Sequence, residues 1–187
     1  MSRLREPPGP SDHVIGAPDA PAQLVEYGDY ECPFCARAHF EVAEVLRRLG
    51  SATRYTFRHF PLTQVHPHAL LAAQAAEAAG MQGRYWPMHS MLFENQNALT
   101  PEALAIYADR LELDTHRFSR ELRTGVHLAK VQNDFRCGVR SGAHATPTFF
   151  LNGLQLIHGW DTDRLGTAIR EVLQRGPATL VQQVTQR

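Results

Sequence analysis

Lysine is almost missing from this sequence: Lys130 is the only one, and arginine carries nearly all the positive charge. Amine chemistry is thereby confined to one side chain. Net charge is missing too, since 19 Lys and Arg balance 19 Asp and Glu and no block of basic residues occurs. That argues against partners held by bulk electrostatics, so neither nucleic acid nor an anionic membrane surface is expected to bind. No apolar run is long enough to cross a bilayer, and no membrane insertion is expected. Internal repeats and low-complexity tracts are also absent. The opening MSRLREPPGPSDH lacks the apolar stretch of a secretory signal. Read literally, this predicts a cytoplasmic protein, where paired cysteines more often cycle than serve as a staple. A chain begun at a mature N-terminus would look the same and would belong in the periplasm.

What is present is a chain of 187 residues, 43% hydrophobic, enough for a single domain with its own core. Only three cysteines occur, and two of them fall in Glu26–Cys35, EYGDYECPFC. A C-x-x-C pair beside a β-α-β pattern points to thioredoxin-like redox chemistry. Pro33 suits the first turn of a helix, where its missing N–H removes nothing. Cys32 then caps that helix, its sulfur facing unpaired backbone N–H groups and the positive end of the helix dipole. Both favour the thiolate, which is the nucleophile. Cys35 lies on the same helix face and can close a disulfide with Cys32.

Along the chain, residues 1–13 read as a loose arm. A strand follows over about Ala22–Tyr27, then a helix from Pro33 to about Leu49 with an apolar stripe at Cys35, Ala38, Val42, Val45, Leu46 and Leu49. Glu41, Glu44, Arg47 and Arg48 are expected to face away. A second strand near Ala52–Arg58 alternates Thr53, Tyr55 and Phe57 with Arg54, Thr56 and Arg58. Strand, helix, strand predicts a right-handed crossover between parallel strands. From about His66 to Ser141 the pattern is helical, with Thr100-Pro101 marking one helix start. Strand character returns at Thr148–Leu151. Asn152-Gly153 makes a hairpin turn into Leu154–Ile157, and a last helix spans about Thr162–Arg175, ending at Gly176-Pro177.

The stretches GAPDAPAQLVEYGDYECPFC, RYWPMHSMLFENQ and GAHATPTFFLNG resemble the DsbA-like branch of thioredoxin-fold thiol-disulfide oxidoreductases. The nearest likeness is to a bacterial group that includes domains fused to sodium/proton antiporters. The resemblance runs from about Val14 to Gln174. It implies an α/β thioredoxin fold, βαβ then ββα around a mixed central sheet, with an inserted all-helical subdomain. The core would be 14–62 and 142–175, the insert 63–141, and 1–13 and 176–187 flexible ends.

The same resemblance implies roles for single residues. Cys32 attacks and Cys35 resolves. Glu26 matches the buried acid of the fold, where burial would raise its pKa and let it exchange a proton with Cys35. Pro147 matches the cis proline, and Thr146 before it would pair with an extended substrate strand. Pro33, Phe34, Thr146 and Pro147 would thus contact substrate. Phe34 departs from the histidine found between the cysteines of the strongest oxidants in this branch, so a less oxidising pair is expected. The partners implied are protein or peptide thiols and disulfides and a redox-recycling protein; the chain is expected to be a monomer without cofactor or metal.

The alternative is a non-catalytic module of the same fold, binding peptides or zinc. Zinc held by Cys32, Cys35, Cys137 and a histidine is conceivable, but only one paired ligand cluster is present. A lone Cys137 reads as a small buried hydrophobe. Trp86, Met88, Met91, Leu92 and Phe93 read as core of the helical block.

Overall fold

The computed structural model describes residues 2–157 and 159–175. The expected loose end 176–187, with the helix stop at Gly176-Pro177, lies outside the described residues. Among those described, no helix is long and apolar enough to cross a membrane. The chain forms two compact units, one from Met1–Tyr27, Phe40–Arg58 and Cys137–Arg187, the other from Gly28–His39 and His59–Arg136.

The first unit carries the sheet. Its strands are β1 (His13–Ile15), β2 (Ala22–Gly28), β3 (Thr53–His59), β4 (Thr148–Leu151) and β5 (Leu154–Gln155), ordered β1-β3-β2-β4-β5. β1 runs antiparallel to β3, and β4 runs antiparallel to both β2 and β5. β2 and β3 are neighbours joined through helix α1 (Pro33–Leu49), the connection that parallel pairing needs. The β4–β5 turn is made by Asn152 (φ 47°) and Gly153 (φ 80°), the left-handed pair that a two-residue hairpin demands. The last helix of this unit, spanning Thr162–Arg175, buries Leu165, Ile169 and Val172, a one-sided stripe at helical spacing. Its first N–H, from Thr162, reaches the Glu41 carboxylate at 2.8 Å. Glu41 therefore does not simply face solvent as its place on α1 suggests; it caps the start of another helix.

Two other expectations change here. β3 does not alternate: every residue but Arg54 is buried, as suits a strand with a neighbour on each side and cover on both faces. Arg58 is tolerated inside because its guanidinium meets Asp12 at 2.9 Å and donates to the Glu6 and Pro7 carbonyls and the Tyr27 hydroxyl. Those same contacts hold the arm. Residues 2–12 are not loose: Arg3 bridges to Leu154, Leu4 N–H reaches the Gly153 carbonyl, and Arg5 N–H reaches Ser141.

The second unit is helical. It holds α2 (Ala69–Gly80), α3 (Tyr85–Glu94), α4 (Pro101–Arg110), α5 (Thr115–Thr124) and most of α6 (Leu128–Ser141), together with the first turns of α1. Thr100 and Asp114 cap α4 and α5 through their side chains, and Gly125 ends α5 at φ 66°. α2 is buried on nearly all sides and packs against α3, α4 and α5. Its run of alanines follows, because small side chains let three helices close on one.

Candidate active site

Cys32 occupies the cap of α1. Its carbonyl accepts the N–H groups of Cys35 at 3.0 Å and Ala36 at 3.1 Å, the first bonds of the helix, and Pro33 takes the first helical position. Both cysteines are free thiols. Cys35 has no exposed surface, while Cys32 keeps 4%. What exposure the pair has therefore belongs to the first cysteine. Beside it Phe34 is 63% exposed, a large apolar ring at the surface of the CPFC turn.

Behind this turn the chain is fastened by polar side chains that the sequence did not single out. Asp29, three residues before Cys32, has a fully buried carboxylate. One oxygen accepts Leu62 N–H at 2.7 Å and pairs with His66 Nδ1 at 2.8 Å; the other accepts Glu31 N–H at 2.8 Å. Glu31 reaches His68, through the backbone N–H at 2.7 Å and Nδ1 at 2.8 Å. Gln96, between α3 and α4, donates from Nε2 to the carbonyls of Tyr30 at 2.8 Å and Cys32 at 2.9 Å. The backbone N–H of Asp29 in turn points to Cys35 Sγ at 3.4 Å.

Next to these lies a dense aromatic and histidine cluster. The Tyr30 hydroxyl bonds His89 Nδ1 at 3.0 Å, and the Tyr30 ring meets Phe93 at 4.8 Å. His39, one turn beyond Cys35, stacks on Phe93 at 5.2 Å; burial lowers its pKa, with Glu94 pulling the other way. Met88, Leu92 and Phe93 are core, as expected, while Trp86 and Met91 are only half-buried. Among the described residues, the group of side chains able to hold a metal is His59, Glu77 and Asp134, all buried, and it contains no cysteine. A cation already serves it: Lys130 Nζ lies 2.6 Å from Asp134 and 4.0 Å from Glu77. The one lysine of the chain is therefore spent on neutralising buried carboxylates.

The remaining candidate residues belong to the sheet-bearing unit. Glu26 on β2 is 1% exposed and its Oε2 accepts the Tyr55 hydroxyl at 2.7 Å. The Thr146–Pro147 peptide bond is cis, just ahead of β4, with Thr146 7% exposed and the Thr148 hydroxyl donating to the Ala145 carbonyl at 2.6 Å. Cys137 is 2% exposed but is not in a purely apolar setting: Tyr27 donates to its sulfur at 3.0 Å and Arg58 approaches at 3.5 Å. Asp29 and Gln96 escaped the sequence reading because their side-chain partners lie 33 to 66 residues away. Of these two a signal existed for Asp29 alone, as a polar residue set between an apolar strand and the cysteines. His66 and His68 stand out in the sequence as histidines separated by one residue, a spacing that suggests metal rather than the carboxylates they meet.

Residues 9–171 match the family model described as thioredoxin. Among curated proteins, the chain is 43% identical over 158 residues to the Na(+)/H(+) antiporter NhaA 1 of Salinispora arenicola, covering 84% of this chain and 24% of that protein. It is 42% identical over 168 residues to the NhaA antiporter of Herminiimonas arsenicoxydans, covering 90% and 26%. The chain thus spans about a quarter of the length of these relatives. Among solved structures, oxidised BdbD from Bacillus subtilis superposes with a TM-score of 0.83 at 23% identity, covering 92% of this chain and 98% of that one. A thioredoxin-like oxidoreductase from Silicibacter pomeroyi gives 0.79 at 25% identity, covering 89% and 94%. α-DsbA1 from Wolbachia pipientis gives 0.78 at 22%, covering 90% and 94%. With its CPFC turn, its cis Thr146–Pro147 bond and the family model spanning nearly all of it, the chain belongs to the thioredoxin family.

Proposed function

We propose that the protein is a thiol-disulfide oxidoreductase that exchanges disulfides with protein or peptide substrates. The observation that carries this is the asymmetry of the CPFC turn. Cys32 caps a helix and keeps the residual exposure, and Cys35 sits one turn on, fully buried and within reach of an N–H donor. A sulfur at a helix N-terminus lies at the positive end of the helix dipole, which lowers the cost of the anion. Cys32 attacks a substrate disulfide and forms a mixed disulfide; Cys35 then attacks Cys32 and releases the second substrate thiol. Glu26 exchanges the proton of Cys35, and its burial supports that role. The Thr146 backbone, next to a proline that has no N–H to donate, receives an extended substrate strand, and Phe34 supplies apolar contact.

Reduction of an insulin disulfide with dithiothreitol as the electron source tests the reading. Turnover that depends on Cys32 supports it. No turnover, with stoichiometric zinc bound instead, overturns it in favour of a zinc-binding module.

A further inference from the structure

We propose that Asp29 is a positioning residue for the resolving step, acting on Cys35 through its own backbone N–H. This rests on the thiol-exchange reading above and extends it to a residue outside the C-P-F-C turn.

The geometry makes the argument. A carboxylate with no solvent exposure must have its oxygens satisfied by donors. Those of Asp29 are held by Leu62 N–H, His66 Nδ1 and Glu31 N–H. Three donors from two segments fix the side chain, and with it the peptide plane on its N-terminal side. That plane carries the N–H which meets Cys35 Sγ at 3.4 Å, within reach of a hydrogen bond to sulfur. Cys35 itself is shut off from water, so a charge forming there needs a donor from the protein.

In the resolving step Cys35 gives its proton to the Glu26 carboxylate, the base of the reading above, and its thiolate sulfur attacks Sγ of Cys32. The Cys32–Cys35 bond forms as the bond from Cys32 to substrate sulfur breaks. The substrate leaves as a thiolate and takes up a proton. The substrate disulfide has then gained two electrons, and the protein pair has lost two. The Asp29 N–H stabilises the Cys35 anion at the moment it attacks. The first step, attack by Cys32, does not use it.

The test separates the two steps. Reduced protein in a Cys137→Ala background is mixed with the symmetric thionitrobenzoate disulfide. One coloured thiolate is released when Cys32 attacks and a second when Cys35 resolves. Asp29→Asn keeps the size of the side chain but cannot accept from all three donors. It is expected to slow the second release about tenfold or more, the scale of one weakened hydrogen bond to a charged group, with the first little changed. Glu31→Gln weakens the pairing with His68 but keeps the Glu31 N–H on Asp29, and is expected to leave the ratio of the two phases unchanged. Should Asp29→Asn lose the native circular dichroism, His66→Ala removes one donor from the same carboxylate and reads the same ratio of rates. Equal slowing of both phases by Asp29→Asn and Glu31→Gln would mean a merely structural role. An unchanged second phase in Asp29→Asn would also overturn the proposal. Absence of a second release even when Asp29 is intact would instead defeat the exchange reading itself.

Discussion

Arg58 and Asp12 form an ion pair at 2.9 Å in which each side chain is 5% exposed. An arginine on the interior strand β3 is in this way neutralised by the N-terminal arm. Burial opposes the charge of Arg58, but Asp12 and Tyr27 outweigh it and raise its pKa. Breaking such a pair leaves an uncompensated charge in the core. Asp12→Ala is therefore expected to destabilise the protein by about 3–5 kcal/mol. Urea denaturation checks this; a loss within the range of an exposed surface pair, below about 1 kcal/mol, would show that water replaces Asp12 freely.

Glu26→Gln should separate function from stability. Removing an ionisable group from a site that is 1% exposed relieves a desolvation cost while the amide can still accept from Tyr55. Denaturant midpoints are expected to hold or rise. Turnover in insulin reduction is expected to fall about tenfold or more if Glu26 handles the Cys35 proton. A variant that gains stability and keeps full turnover would strip Glu26 of its proposed role.

His39 gives a pH dependence of definite sign. Its pKa is lowered in the folded chain, mainly by burial against Phe93 and His89. The unfolded chain then binds the proton more readily, so stability contributed by neutral His39 is present above its unfolded value, about 6.5, and is lost as pH falls through the folded one. His39→Phe should flatten this decline in thermal unfolding measured from neutral to mildly acid pH. An unchanged slope would place the acid sensitivity elsewhere.

Phe34 is exposed, so it can be changed without disturbing the core. Phe34→His places a donor next to the Cys32 sulfur and stabilises the reduced pair. Equilibration with glutathione should show a potential higher by about 30 mV or more, the equivalent of tenfold in the exchange constant. A lower potential would contradict the view that Phe34 keeps the pair less oxidising.

How far the sequence was readable follows from the range of each interaction. The α1 stripe, the Thr100-Pro101 cap and the Asn152-Gly153 turn are local, and each lies where its residue pattern places it. β1 was missed because a three-residue strand carries no period of its own and exists by pairing with β3. Arg58 looked like the polar half of an alternating strand; its buried partner lies 46 residues away. The cis bond at Pro147 was legible only through likeness to known proteins. Asp29 and Gln96 illustrate the same limit at the site, since nothing near them in the chain shows what they fasten.

The most direct measurement is capture of the covalent intermediate. Reduced Cys35→Ser protein is mixed with an equimolar disulfide peptide, and the product is located by mass spectrometry. The account predicts a stable adduct on Cys32 that dithiothreitol releases, and none in Cys32→Ser. An adduct on buried Cys137, or full two-electron turnover by Cys35→Ser, would contradict it.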